Sequence, residues 1–262
     1  MADKQNIILG VDIGGTGIKG GLVDIEQGIL VSERYRLPTP QPATPDRMAE
    51  TFRELLDQIE YTGPVGVGFP AVVRKGTALS AANIDESWVN TSITQTLGDV
   101  YGGGGIHALN DADAAGLASA IYGAGRGEPG TVLMITIGTG LGSALIVGGE
   151  LIPNSELGHL YLRNMKKDAE KYVSNALRKH KEWTWEEFGE RFNSYLMHVE
   201  MLFSPDLILL GGGGSKGFEE YQHLLQVKCP VKSALLLNAA GTVGAAFYAY
   251  RMNERVGNQL PI

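Results

Sequence analysis

The chain has 262 residues, 44% of them hydrophobic, enough for one large or two modest domains with real cores. A formal charge of −7 opposes general nucleic-acid binding, and the single cysteine, Cys229, excludes an internal disulfide and any cysteine-built zinc site. The polar opening residues, and the lack of any apolar run near the roughly 18 to 20 residues of a membrane span, predict a cytoplasmic protein without a leader or anchor.

Residues 7–24 read as a strand, a glycine turn and a second strand. Ile7, Ile8, Leu9, Val11 and Ile13 form the nearly continuous apolar run of a strand buried on both faces. Gly14, Gly15 and Gly17 free the backbone to turn with its N–H groups exposed. With Thr16 adding a hydroxyl and Lys19 a charge, such a concave run of amides holds a phosphate. Asp12 would face that phosphate as an unneutralised carboxylate, which predicts that it holds Mg2+ or a Mg2+-bound water. Two other readings exist: a GxGxxG dinucleotide loop over residues 15–20 and a plain hairpin. The first needs a helix after the glycines, and the β-branched, glycine-rich residues 20–25 oppose one.

Residues 29–37 read as a third strand, and Pro38, Pro40, Pro42 and Pro45 as a stiff loop. Apolar residues at helical spacing predict a helix over 45–59, followed by a strand at Val65, Val67 and Phe69. The irregular stretch through Asn83 and Trp88 is expected at a rim, with Asn83 either touching a ligand or capping a turn. The glycines at 102–105 suggest a crossover into a second half. A strand over 106–109 then stops at Asn110 and Asp111, where a helix starts. Polar residues at a helix start commonly cap it, but the carboxyl end of a buried strand is also where ligands bind in α/β sheets.

Residues 134–148 repeat the opening pattern, with Gly138, Thr139 and Gly140 as the turn. Two phosphate-cradling hairpins imply two similar halves facing a cleft. Glu156 and His159 follow at i, i+3 and would share a face of a helical turn. The basic stretch over 163–181 holds Lys166, Lys167 and Lys171, interrupted by Asp168 and Glu170, and reads either as a solvated helix face or as an anion track. A long amphipathic helix over 183–203 carries a capping box, Thr184 with Glu187. A buried strand over 206–210 runs into Gly211, Gly212, Gly213 and Gly214, whose bare backbone suits a flat ligand or a plain loop. A helix of small residues over 241–252 can pack closely and cross back to brace the first half.

These segments together resemble the ROK family of sugar kinases, within the actin, hexokinase and Hsp70-like fold. Residues 12–19 resemble the family's first phosphate motif, 137–142 its second, and 209–213 its nucleotide-side glycines. Asn110 with Asp111, and Glu156 with His159, are similar to its sugar-binding and catalytic elements. Typical members follow the Gly-His pair with a zinc-binding cysteine cluster, and this chain has no cysteine there. That departure is similar to the polyphosphate glucokinase branch, and it places a sugar-binding glutamate at Glu170.

The resemblance implies an α/β protein of two ribonuclease-H-like domains facing a central cleft. Residues 1–109 with a C-terminal helix at about 244–262 would form the smaller domain, and 110–243 the larger. It implies phosphoryl transfer to the glucose 6-hydroxyl, with Asp111 as base and Asn110, Glu156, His159, Glu170 and Asn83 on the sugar. Asp12, Gly14, Gly15, Thr16, Gly17, Lys19, Gly138, Thr139, Gly140, Gly211, Gly212 and Gly213 would hold the donor, ATP or inorganic polyphosphate, with Mg2+ and without structural zinc. Lys166, Lys167 and Lys171 become a polyphosphate track. The expected partners are a small sugar and the donor, in a homodimer, with no nucleic acid and no membrane. Alternatives are an ATP-dependent kinase of mannose or an N-acetylated sugar, a sugar-sensing repressor, and a chaperone-like ATPase. The repressor would need a helix-turn-helix module before the first hairpin, where eleven residues precede Asp12.

Overall fold

The computed structural model describes residues 6–163, 165–235 and 239–257. Positions 258–262 of the expected C-terminal helix, and residues 1–5 of the polar opening, lie outside the described residues. The chain divides into two compact units: the first ends at Ala118 and takes back the C-terminal helix, and the second begins at Ser119.

In the first unit, β1 (Ile7–Gly14) and β2 (Gly17–Asp24) pair antiparallel around the glycine turn. The expected third strand is instead two short strands on β2, β3 (Ile29–Leu30) and β4 (Tyr35–Leu37). The ladder breaks at Ser32, whose hydroxyl accepts from the Leu22 N–H at 2.9 Å. Helix α1 (Pro45–Leu56) opens on a proline, whose missing N–H has no intrahelical partner to lose, and buries Met48, Ala49, Phe52 and Leu55.

Strand β5 (Val65–Phe69) adds to β1 in parallel, and β6 (Val73–Arg74) and β7 (Thr77–Ala78) form a small hairpin. Trp88, expected at a rim, is fully buried. Its ring meets Phe69 edge-on at 4.7 Å and its indole N–H donates to the Ala43 carbonyl at 2.9 Å. Helix α2 (Ile93–Tyr101) has no counterpart in the sequence reading; the Ser92 hydroxyl caps it and Gly102, at φ 65°, ends it. The glycines at 102–105 are therefore a helix stop rather than a crossover. They lead into β8 (Ile106–Asn110), parallel to β5 in the same sheet, and the unit boundary falls later, inside α3 (Asp111–Ile121).

The second unit repeats this build. Strands β9 (Thr131–Ile137), β10 (Leu141–Val147) and β11 (Glu150–Ile152) form an antiparallel meander. After α4 (Asn175–His180) and α5 (Trp185–Phe203), β12 (Leu207–Gly211) joins β9 in parallel. Then α6 (Phe218–Tyr221) leads to β13 (Val231–Ser233), parallel to β12. Both halves of the Thr184–Glu187 capping box are formed at the start of α5. The sheet orders, β3-β2-β1-β5-β8 and β11-β10-β9-β12-β13, are the same topology twice, as the two similar halves expected from the paired hairpins require.

Helix α7 (Ala240–Gly257) packs on β1, β5 and β8 of the first unit. Side chains alternate along a strand, so Leu9, Val11, Ile13, Val65, Val67 and Phe69 turn to the core with Met48 and Phe52. Gly10 and Gly66 turn the other way. A Cβ at either would overlap the backbone of α7 at Thr242 or Ala245, so the glycines set how closely that helix docks. In the second unit Leu133, Ile135 and Ile137 face Phe188, Phe192 and Tyr195 of α5, while Val132 and Met134 face Ala120 at the end of α3.

Candidate active site

The two glycine turns lie at equivalent places in the two sheets. In the first, Gly15 and Thr16 are exposed, and the Thr39 hydroxyl donates to the Gly14 carbonyl behind them. Lys19 Nζ lies 2.9 Å from Asp12 Oδ2, and Gly241, in the first turn of α7, rests against the same carboxylate. Asp12 thus has a counter-charge within the protein, which the sequence reading did not foresee. Asn83 is exposed, and its carbonyl faces Gly15. Arg36, opposite Lys19 in the β2–β4 pairing, lays its guanidinium against Gly17 and adds a second cation to this turn. Its place was readable only from the strand register.

Asn110 and Asp111 stand where β8 gives way to α3. The Asn110 side chain is buried and largely committed to the cap: Oδ1 accepts from the N–H groups of Ala112 (2.8 Å) and Asp113 (3.1 Å), and Nδ2 donates to the Ala71 carbonyl (3.0 Å). Asp111 is only half-buried, with Oδ1 accepting from the Ala112 N–H at 2.9 Å. It lies in the first turn of α3, where orphan N–H groups favour an anionic side chain. Asp113 is fully buried.

In the second unit the turn at 138–140 closes with the Gly138 N–H on the Gly140 carbonyl, and Thr139 is exposed. The Gly138 carbonyl also accepts from the Ala176 N–H in α4. The glycines after β12 have internal reasons to be glycine. Gly212 sits at φ 74° against the Ile137 backbone, and a Cβ at Gly211, Gly213 or Gly214 would strike Met134, Asn175 or Ile137.

Glu156, His159 and Glu170 are brought together by two fixings. The Leu157 N–H donates to Ser143 Oγ on β10, and Gly158 lies against the Leu141 carbonyl, which pins the 3-10 turn Leu157–His159 to the sheet. A pairing of Tyr161 with Asp168, and the Ala169 N–H on the Leu160 carbonyl, then fold the next loop back. His159 Nε2 comes within 3.7 Å of Glu156 Oε2, and Nδ1 within 3.9 Å of Glu170 Oε1 and 3.3 Å of Asp168 Oδ2. Glu170 also reaches Gly140, where a Cβ would strike its carboxylate, so this cluster adjoins the second glycine turn.

Asp168, read from sequence as an interruption of a basic run, is thus a member of the cluster. Lys171, and with it His159 and Tyr161, holds its carboxyl below the usual range, while Asp168 raises the Lys171 ammonium. The basic stretch is a loop, a 3-10 turn and the short α4 rather than one helix face. Lys166 and Lys167 are exposed on the loop, and Lys171 pairs with Asp168 at 3.0 Å.

A family model described as ROK family matches residues 8–176. The chain is 44% identical over 245 residues to a polyphosphate glucokinase of Mycobacterium tuberculosis (strain CDC 1551 / Oshkosh), covering 94% of this chain and 92% of the relative. A solved inorganic polyphosphate/ATP-glucomannokinase from Arthrobacter sp. strain KM superposes with a TM-score of 0.87 at 47% identity, over 94% of this chain and 99% of that one. A ROK family glucokinase from Streptomyces griseus, solved with glucose and AMPPNP, gives 0.78 at 25% identity over 94% and 99%. Its fold is therefore that of solved sugar kinases of the actin and hexokinase type, and the chain belongs to the ROK family.

Proposed function

We propose that the protein is a glucokinase that transfers the terminal phosphoryl group of inorganic polyphosphate or ATP to the 6-hydroxyl of glucose. The observation that carries this reading is the cluster of Glu156, His159 and Glu170 beside the second glycine turn. Two carboxylates and an imidazole complement a ring of hydroxyls, and an adjoining amide-lined turn suits a phosphate.

Phosphoryl transfer asks a protein mainly to align donor and acceptor and to neutralise charge. Asp111 accepts the proton of the attacking 6-hydroxyl. Asp111 as a residue is only partly buried, which supports that role, whereas Asp113 is fully buried as a structural group. Glu156, His159 and Glu170 hold other hydroxyls, with Asn83 and the remaining N–H of Asn110 as further contacts. The turns at 14–17 and 138–140 hold phosphates, helped by Lys19, and Gly211, Gly212 and Gly213 serve the nucleotide when ATP is the donor.

Mg2+ would be held through Asp12 Oδ1, the carboxylate oxygen that the Lys19 ammonium does not grip; one carboxylate oxygen plus water is a common way for this ion to be held. There it would offset charge on the donor phosphates. In this reading the protein works in the cytoplasm as a homodimer. No helix among the described residues is long and apolar enough to cross a membrane.

Mannose is a second acceptor in this reading, favoured by the glucomannokinase likeness. The test is coupled formation of sugar 6-phosphate from glucose and from mannose, each with ATP and with long-chain polyphosphate. Product from glucose with polyphosphate is expected. No product with either donor would overturn the reading, and product with ATP alone would remove its polyphosphate half.

A further inference from the structure

Asp168 has no role in the chemistry above, yet one side of the sugar cluster depends on it. Its Oδ2 lies 3.3 Å from His159 Nδ1 and 3.0 Å from Lys171 Nζ, and Tyr161 joins them in holding the carboxyl below its usual range. The Asp168 side chain is 16% exposed, whereas that of His159 is 51% exposed. Its backbone is fixed on both sides, by the pairing with Tyr161 and by the Lys171 N–H on its carbonyl at 2.9 Å. A sheltered, anchored acid therefore grips an open imidazole.

The geometry points to Asp168 as the positioning residue that sets the tautomer and ring plane of His159 for the sugar. What the ring then holds rests on the sugar-kinase reading; the positioning itself does not. An ionised carboxylate only accepts hydrogen bonds, so the nitrogen facing it must carry the proton. Lys171 keeps Asp168 in that ionised form. With its proton on Nδ1, the ring turns Nε2 toward Glu156, 3.7 Å away. A sugar hydroxyl can donate to Nε2 while a neighbouring hydroxyl donates to Glu156. Without Asp168 an imidazole this exposed would sample both tautomers and other rotamers, and the sugar would have to order it on binding.

The ligand atoms of His159, Asp168 and Glu170 also lie within 4.8 Å of one another, close enough to hold a metal ion. Lys171 favours the hydrogen-bonded network, because its ammonium already supplies a positive charge to Asp168.

The test uses the full chain, ring-labelled with 15N on histidine and free of sugar. Long-range proton–nitrogen correlation should find the His159 proton on Nδ1 in the unaltered protein. Asp168→Ala should shift it toward Nε2, and Asp168→Asn, whose amide oxygen still accepts, should largely retain it. In the coupled assay Asp168→Ala should raise the KM for glucose about tenfold, as loss of a partner that orients a histidine does, with kcat and the donor KM unchanged. Unaltered circular dichroism in both variants separates this from unfolding. An Asp168→Ala enzyme that keeps both the tautomer and the glucose KM overturns the positioning role and leaves the kinase reading standing. A changed tautomer in a protein that phosphorylates no sugar supports the role and sinks the kinase reading. One equivalent of transition metal in the purified protein, lost in Asp168→Ala, also overturns it.

Discussion

Lys19 and Asp12 face each other directly across the β1–β2 ladder, with Nζ 2.9 Å from Oδ2, at the mouth of the first glycine turn. The Asp12 side chain is largely sheltered at 16% exposed, but the Lys19 end is 30% exposed, and a pair that water still reaches contributes about 1 kcal/mol or less to folding. In the proposed reaction an incoming phosphate would share the Lys19 ammonium with this carboxylate.

Replacing Lys19 by methionine, which keeps the length of the stem, should therefore separate stability from function. We expect kcat/KM for the donor to fall by roughly 100-fold, the scale of losing one preorganised donor to a transferring group. The urea-unfolding free energy should move by less than about 1 kcal/mol. A large loss of stability with unchanged kinetics would make the pair a fold element only.

Asn110 and Asp111 are neighbours whose replacement should act first on different properties, stability for Asn110 and turnover for Asp111. The Asn110 amide oxygen takes two N–H groups at the start of α3, so Asn110→Ala should destabilise the protein by about 1 kcal/mol, the usual loss of an N-cap. Asp111→Asn should leave the unfolding transition in place and lower kcat by roughly 100- to 10,000-fold, the span for removal of a general base. Near-normal turnover in Asp111→Asn would remove that residue from proton transfer.

What could be read from the sequence was local and periodic. Apolar runs broken by Gly14, Gly15 and Gly17, and again by Gly138 and Gly140, announce strand, turn and strand without help from tertiary contacts. Thr184 and Glu187 mark a helix start because both halves of that cap lie within one turn. Asp168 was out of reach because its partners His159 and Tyr161 meet it only when a loop folds back, and no period links them. Trp88 sits in polar company along the chain, and only the approach of Phe69 and Ala43 buries it. The glycines after β12 looked like a ligand surface, yet contact with Met134, Ile137 and Asn175 already explains them. Sequence shows that a side chain is absent, but not whether protein or ligand uses the space.

The same ambiguity is settled at Gly66, where the space is taken by α7. A methyl group there would overlap the Ala245 backbone, and neither a central strand nor a helix can yield locally. Gly66→Ala should cost about 1–3 kcal/mol or more, as overpacking does, measured by chemical denaturation. An unchanged midpoint would mean that α7 docks less tightly than its contacts indicate.

Gly140 tests the link between the second turn and the sugar cluster. A Cβ at this position strikes the Glu170 carboxylate, the movable end of a side chain, so Gly140→Ala should displace Glu170 rather than unfold the sheet. The KM for glucose should rise by about tenfold, the loss of one hydrogen bond to a charged group at roughly 1.5 kcal/mol. Glu170→Gln should raise it similarly, and the double variant should do little more, because both changes act on one contact. Additive losses would show that Gly140 acts through the phosphate instead.

Lys166, Lys167 and Lys171 were grouped by sequence, and the structure parts them. Lys171 is tied to Asp168, while Lys166 and Lys167 stand exposed on the loop before it. A polyanion longer than ATP can use the exposed pair, each charge being worth up to about 1 kcal/mol at low salt. Changing both to alanine should then raise the KM for polyphosphate about tenfold, leave that for ATP in place, and do less as salt is added. Lys171→Ala should act differently, raising the KM for glucose with either donor, because it frees Asp168 and through it His159. Equal losses with both donors in the Lys166 and Lys167 double variant would mean that polyphosphate takes another path, and the guanidinium of Arg36 beside Gly17 is the cation to replace next.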